Sequence, residues 1–181
     1  TRVAAPSPTP KAPAPRTRRS SSRSGGAKLS HVGAHGAARM VDVGAKPATE
    51  RRARAVGEIQ MSTAAWRAVR DNLTKKGDVL GVAKLAGIQA AKRTAELIPL
   101  CHPLALTHIA VDLRLVSRPA SVLVEATVAT TAATGVEMEA LTAVSVALLT
   151  VYDMVKSADK AMRIGSIRLI EKSGGRSGHF R

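Results

Sequence analysis

Four groups of side chains in this sequence have the types and spacing that chemistry requires. The first two flank one apolar stretch, TGVEMEALTAVSVALLTVYDMVK, residues 134–156. Its middle, 140–151, carries no charge, yet Glu137 and Glu139 stand at one end and Asp153 and Lys156 at the other. Thr134 and Glu137 have the spacing of a capping box, which would account for Glu137 structurally. Glu139 lies two residues further round the helix and needs water, a partner or a task. Asp153 and Lys156, three apart, are neighbours on one helical face. They form either a surface ion pair of small worth or the carboxylate–ammonium pair of a general acid–base site. Fourteen residues separate Glu139 from Asp153, about 21 Å along a helix. A single helix therefore cannot place both pairs around one small molecule. Two pockets would meet this, and so would a neighbouring subunit that supplies the missing half.

The third group is IPLCHP, 98–103, where two prolines present Cys101 and His102 stiffly. A histidine held this way either packs as an ordinary polar group, or shuttles a proton or binds phosphate. The fourth is a set of cations: Lys75 and Lys76 in KKGD, Lys92 and Arg93 in AAKRT, and Lys172 and Arg176 around the glycines of EKSGGRSGHFR. Such runs are usually solvated surface. A glycine turn can instead cradle an anion with consecutive backbone N–H groups, although the stretch matches no complete phosphate-binding loop. A metal centre is not expected, because the one cysteine and five histidines show no ligand spacing.

The elements that must position these groups follow from periodicity. ARAVGEIQM, 53–61, reads as a strand. Ser62 caps a helix over 63–73 with Trp66, Val69 and Leu73 on one face. VLGVAKLA, 79–86, is a short apolar run, and AGIQAAKRTAELI, 86–98, a helix stopped by Pro99. HIAVDLRLV (108–116) and SVLVEATVAT (121–130) alternate and form a hairpin through SRPAS. The long apolar helix comes next, and MRIGSIRLIEK, 162–172, is the last strand. Hairpins mixed with helices predict an α+β fold, an antiparallel sheet with helices on one face.

The chain has 181 residues and a formal charge of +15. Eight of the 28 basic residues fall in 1–41, which has no acid; the remainder of the chain is only +7. Residues 1–28, rich in Pro, Ala, Ser and Arg, cannot bury enough apolar surface to fold alone. They read as a disordered extension or a mitochondrial transit peptide, with the cytoplasm as the alternative compartment. The globular part is 29–181. Three aromatic residues are too few for a base-stacking surface, so nucleic acid is not the expected partner. A basic RNA-binding or scaffold module stays as the alternative on charge alone. One cysteine excludes an internal disulfide and suggests a reducing compartment. No run reads as long and apolar enough to span a membrane.

Five stretches carry a resemblance: SHVGAHGAARMVDVGAKPATER, KKGDVLGVAKLAGIQAAKRT, ELIPLCHPLALTHIAVDLRL, TGVEMEALTAVSVALLTVYDMVK and IRLIEKSGGRSG. From about Leu29 to the end, the chain resembles the cyclic pyranopterin monophosphate synthase family, the C protein of molybdenum cofactor biosynthesis. The resemblance implies a ferredoxin-like α+β subunit and a trimer of dimers, a hexamer, with active sites at subunit interfaces. It implies a phosphorus–oxygen lyase that rearranges a cyclised dihydro-GTP, made by an upstream radical enzyme, into cyclic pyranopterin monophosphate with release of pyrophosphate. No metal or redox cofactor is implied. By the same resemblance Asp153 is the catalytic acid or base, with Lys156 and Lys76 the essential lysines. Leu100, Cys101, His102, Met138 and Glu139 contact substrate. Glu137, Arg51, Lys92 and Lys172 belong to the pocket. The sequence departs from the family at Val155, where Cys is frequent, and in VGAHGAARM, where acids are common. The family also occurs fused behind the radical enzyme.

Overall fold

The computed structural model describes residues 38–175 and 178–181; the basic extension, His31, His35 and Arg176 lie outside the described residues. The elements run β1 (Thr49–Gln60), α1 (Thr63–Arg70), α2 (Val79–Lys92), α3 (Thr94–Leu97), β2 (Leu106–Ser117), β3 (Ala120–Ala132), α4 (Glu137–Val155) and β4 (Arg163–Ser173). The strands form one sheet in the order β2-β3-β1-β4, with every neighbouring pair antiparallel. This is the split β-α-β arrangement of ferredoxin-like folds, so the expected fold class is the observed one.

Alternation along the strands decides which face is covered. In β1, Ala53, Ala55, Gly57 and Ile59 are buried while Arg52, Arg54, Val56 and Glu58 face the other way. Val122, Val124, Ala126 and Val128 of β3 are likewise buried. Against this face lies α4, which presents Ala140, Ala143, Val144, Ala147, Leu148 and Val151, all fully buried. Each large apolar side chain removed from water contributes roughly 1.5–3 kcal/mol. The small residues let the backbones approach. A Cβ on Gly57 would sit 2.7 Å from Val144 Cγ1 and 2.8 Å from Leu148 Cδ1, so only glycine fits beneath α4. α2 crosses α4 just as closely at Gly87, where an added Cβ would lie 3.0 Å from the Ala143 carbonyl oxygen.

The opposite sheet face is charged. Arg54 ties three strands together, pairing with Glu125 of β3 at 2.5 Å and Glu171 of β4 at 2.8 Å.

Several elements differ from their sequence reading. β1 begins four residues early, at Thr49, and so takes in Arg51. A central strand gains its ladder from both neighbours, here Thr49 opposite Ala132 and Arg52 opposite Ser173, whatever its side chains. α1 ends at Arg70; Asn72 has φ +53, which turns the chain and leaves Leu73 74 % exposed rather than on the buried face. The apolar run 79–86 is the first half of α2, because the Asp78 carboxylate accepts from Gly81 N at 2.9 Å and caps the helix there. The helix then breaks at Arg93. The capping box at Thr134 does not form: Val136 is the N-cap and makes no side-chain cap bond. Finally, α4 is long and apolar enough to cross a membrane by length and composition, contrary to the sequence reading. Over half of its most apolar window is buried inside the fold, the mark of a core helix.

Candidate functional site

The C-terminal end of α4 gathers three ions. Asp153 receives Lys76 Nζ at 2.5 Å on one carboxylate oxygen and Lys156 Nζ at 2.8 Å on the other. Lys76 also donates to the Asp153 carbonyl at 3.3 Å. It is brought there by the KKGD turn, in which Gly77 has φ +85 and Thr74 Oγ1 donates to the Gly77 carbonyl at 2.7 Å. Positive φ suits glycine, which has no Cβ to clash. The far side of the helix end is clamped by Asp159, whose carboxylate accepts from Ser62 N at 2.7 Å and Ala161 N at 2.8 Å. The hydrogen bond from Lys156, then that from Lys76, holds Asp153 down to about 2. Asp153 in turn raises Lys156. At neutral pH the cluster is thus a carboxylate between ammonium groups, and the pairing makes Asp153 a weaker base and Lys156 a weaker acid until a competing anion draws the lysines away. All three side chains are about half exposed.

The N-terminal end of α4 is built differently. Glu139 is 4 % exposed. Burial raises its pKa, and the charge of Glu137 raises it further. Burial also pushes the Cys101 thiol up, with Glu139 adding to the effect, so Cys101 is a neutral thiol rather than a nucleophile. Leu100, Cys101 and His102 are half-buried on the turn that follows α3, and His102 Nε2 lies 2.8 Å from the Val41 carbonyl. Glu137 pairs with Lys172 at 3.0 Å instead of capping the helix. Beside this pair opens a cavity of about 590 Å³, lined among others by Lys46, Thr49, Arg51, Thr134, Glu137 and Lys172. Arg51 donates to the carbonyls of Ala132 and Ala133 at 3.3 and 3.4 Å. Gly174 and Gly175, with φ of +92 and +75, wrap its guanidinium so tightly that a Cβ on Gly175 would collide with it.

The residues singled out in the sequence therefore fall into two sets. Asp153, Lys156 and Lys76 meet in one; Cys101, Glu139, Glu137, Lys172 and Arg51 are neighbours in the other, with His102 on the same turn as Cys101. Met138 is exposed beside the second set. Lys92, exposed at the end of α2, joins neither by a hydrogen bond or ion pair among the described residues. Among the described residues, no three His, Cys, Asp or Glu side chains group as metal ligands. The sequence reading missed Lys46 and Thr49, which carry no local signal, and the carbonyl of Val41. It did single out the glycine turn at 174–175. The C-terminal residues return to β4 through paired Lys172–Phe180 backbone bonds of 2.9 Å each.

Residues 40–175 match the family model described as the MoaC family. The chain is 56% identical over 154 residues to a protein of Parvibaculum lavamentivorans, covering 85% of this chain and 96% of that one. It is 59% identical over 152 residues to one of Roseiflexus sp. (84% and 96%), and 58% identical over 154 residues to one of Methylobacterium sp. (85% and 96%). All three relatives are named cyclic pyranopterin monophosphate synthase. A match over this span, with identity this high across nearly the whole of each relative, means that the chain belongs to the MoaC family.

Proposed function

We propose that this chain is a cyclic pyranopterin monophosphate synthase. It takes a cyclised dihydro-GTP, supplied by a radical enzyme, and converts it to cyclic pyranopterin monophosphate with loss of pyrophosphate. Beyond the family membership, the observation that carries this reading is the carboxylate of Asp153 held between Lys76 and Lys156.

The chemistry follows from the two ends of α4. Making a cyclic monophosphate from a triphosphate requires a substrate hydroxyl to attack the α-phosphorus while pyrophosphate leaves. Charge builds on the departing oxygens, and preorganised cations offset it. Arg51, Lys46 and Lys172 around the cavity suit this task, and the glycine turn at 174–175 keeps Arg51 in place. Opening and closing of the rings needs proton transfers. Lys156 and Lys76 enter as acids and Asp153 as a base. A triphosphate arriving among these groups would compete with Asp153 for the lysines, and so loosen the pairing that restrains their protons. Leu100, Cys101, His102, Met138 and Glu139 provide contacts to the base and sugar. Lys92 belongs to the pocket in this reading only if an assembly brings it there.

The two half-sites lie about 21 Å apart along α4. We therefore place the working site between subunits of a homo-oligomer, a trimer of dimers, in which Asp153, Lys76 and Lys156 of one protomer face the cavity of another. The half-exposed state of the Asp153 cluster supports this arrangement, since ions used in phosphate chemistry work best when covered. The synthase domain in this reading is 29–181. The bacterial relatives favour the cytoplasm and give mitochondrial targeting no support.

The test is direct. Purified protein given the cyclised dihydro-GTP should yield the cyclic pterin and one pyrophosphate per turnover. No product, together with RNA binding that falls steeply with salt, would replace this reading with that of a basic RNA-binding module.

A further inference from the structure

His102 has two ring nitrogens, and the fold treats them differently. Nε2 lies 2.8 Å from the Val41 carbonyl oxygen. A carbonyl only accepts, so the nitrogen facing it must carry the proton. In the neutral imidazole the lone pair then resides on Nδ1. The histidine side of this bond is stiff, and the carbonyl sits just before a tight turn. On one side, Pro99 and Pro103 flank the turn, and Cys101 N donates to the Ile98 carbonyl at 3.0 Å. On the other, Asp42 accepts from Gly44 N at 2.9 Å and Lys46 N donates to the Val43 carbonyl at 3.0 Å. These bonds fold residues 42–46 into a tight turn. The same segment reaches the cavity at Lys46, five residues beyond Val41.

We propose that the Val41 backbone carbonyl is a positioning group that locks His102 as the Nε2–H tautomer, so that Nδ1 is the nitrogen that meets substrate. This deepens the functional reading above and rests on it for the word substrate; the tautomer itself does not depend on it. The assignment has a chemical consequence. A ring whose Nε2–H is committed to the backbone offers substrate one acceptor, or one acid after protonation, at a single atom. The segment 41–46 would thus orient the imidazole at one end and supply Lys46 to the anion cavity at the other.

The experiment has two arms on the full chain. In the first, long-range ¹H–¹⁵N spectra of ¹⁵N-histidine-labelled protein are recorded at a pH where His102 is neutral, with His102 assigned by its loss in His102→Ala. One protonated nitrogen at Nε2 and one unprotonated at Nδ1, without averaging, is the expected result. Replacing the peptide nitrogen of Asp42 by an ester oxygen, which weakens the Val41 carbonyl as an acceptor, should restore tautomer averaging. A protonated Nδ1, or averaging already present in the unaltered protein, would overturn the proposal.

The second arm compares His102→Asn with His102→Gln, whose amides overlay Nδ1 and Nε2 respectively, after both are shown to melt like the parent. His102→Gln should raise KM about tenfold more than His102→Asn does, the worth of one hydrogen bond. The reverse order, or equal losses, would count against Nδ1 as the contact. If the parent protein itself turns nothing over, the enzymatic reading fails and the spectra alone still decide the tautomer.

Discussion

The two ends of α4 solve one problem, how to keep a carboxylate on an apolar helix, in opposite ways. At the C-terminal end Asp153 stays in water and is charged, with a lysine on each oxygen. At the N-terminal end Glu139 is buried, and its neutral form is favoured. The difference comes from what lies next to each. Asp153 faces water beside Lys76 and Lys156 although the next residues, Met154 and Val155, are still in the core, whereas Glu139 is buried close to Cys101 on the turn before β2. An exposed, paired carboxylate stays charged and within reach of an arriving molecule but contributes little to stability. A buried one shapes a pocket and costs stability while charged. In the proposed function, one end would serve reaction and the other binding.

Four experiments would break or sharpen this contrast. The largest effect is expected at the reactive end. Lys76→Ala or Lys156→Ala should lower kcat by about 10²- to 10⁴-fold, the usual worth of a positioned acid or base. Thermal midpoints should hardly move, because the pairs are exposed. A loss confined to KM would shift these lysines to the binding role.

Next comes the binding end. Gly175→Ala must adopt φ +75 against the Arg51 guanidinium. It should destabilise by about 1–3 kcal/mol and raise KM more than it lowers kcat. Urea unfolding and steady-state kinetics on the same preparation would show both. An unchanged KM would detach Arg51 from the substrate.

The third is a pH signature of opposite sign at the two ends. Glu139 has a raised folded pKa, so its contribution is fully present below the ordinary value near 4.5 and is lost as pH rises. Glu139→Gln should therefore flatten the stability profile and gain on the parent protein above that pH. Asp153 is depressed to about 2. Its contribution is present above the ordinary 3.8 and disappears as pH falls through about 2. Asp153→Asn should lose a little stability at neutral pH and nothing well below pH 2. Denaturant titrations across pH read both, and profiles that run in the same direction would abolish the distinction.

The smallest change is expected for Lys92→Ala, whose side chain is exposed and joins neither cluster. An effect on KM beyond about threefold, more than a surface substitution usually brings, would show that the assembled protein carries it into the pocket.

Much of the fold was legible. The hairpin β2–β3 alternates cleanly because one face is buried and the other is not, and Ser62 caps α1 as its type suggests. What misled was local chemistry overruled by tertiary partners. Thr134 and Glu137 have the spacing of a capping box, but Lys172 arrives from β4 and takes the carboxylate. The polar start of β1 does not look like a strand, yet it is paired with β3 from Thr49 and with β4 from Arg52. The site was half legible. Asp153 and Lys156 are helical neighbours that spacing alone finds, while the third member, Lys76, lies 77 positions away from Asp153, so spacing cannot place it and only the resemblance singled it out among the cations.

The sequence by itself determined the periodicities, the charge asymmetry and the distance between the two pairs of ionisable groups on α4. Those depend on residues close in the chain, whose relative placement a helix dictates at a fixed rise per residue. Tertiary structure alone decided which carboxylate is buried, how Lys76 reaches Asp153, which nitrogen of His102 faces the Val41 carbonyl, and how Arg51 and Lys172 come to line one cavity. Each of these depends on groups distant in sequence, and it is the packing of α4 against the sheet that brings them together.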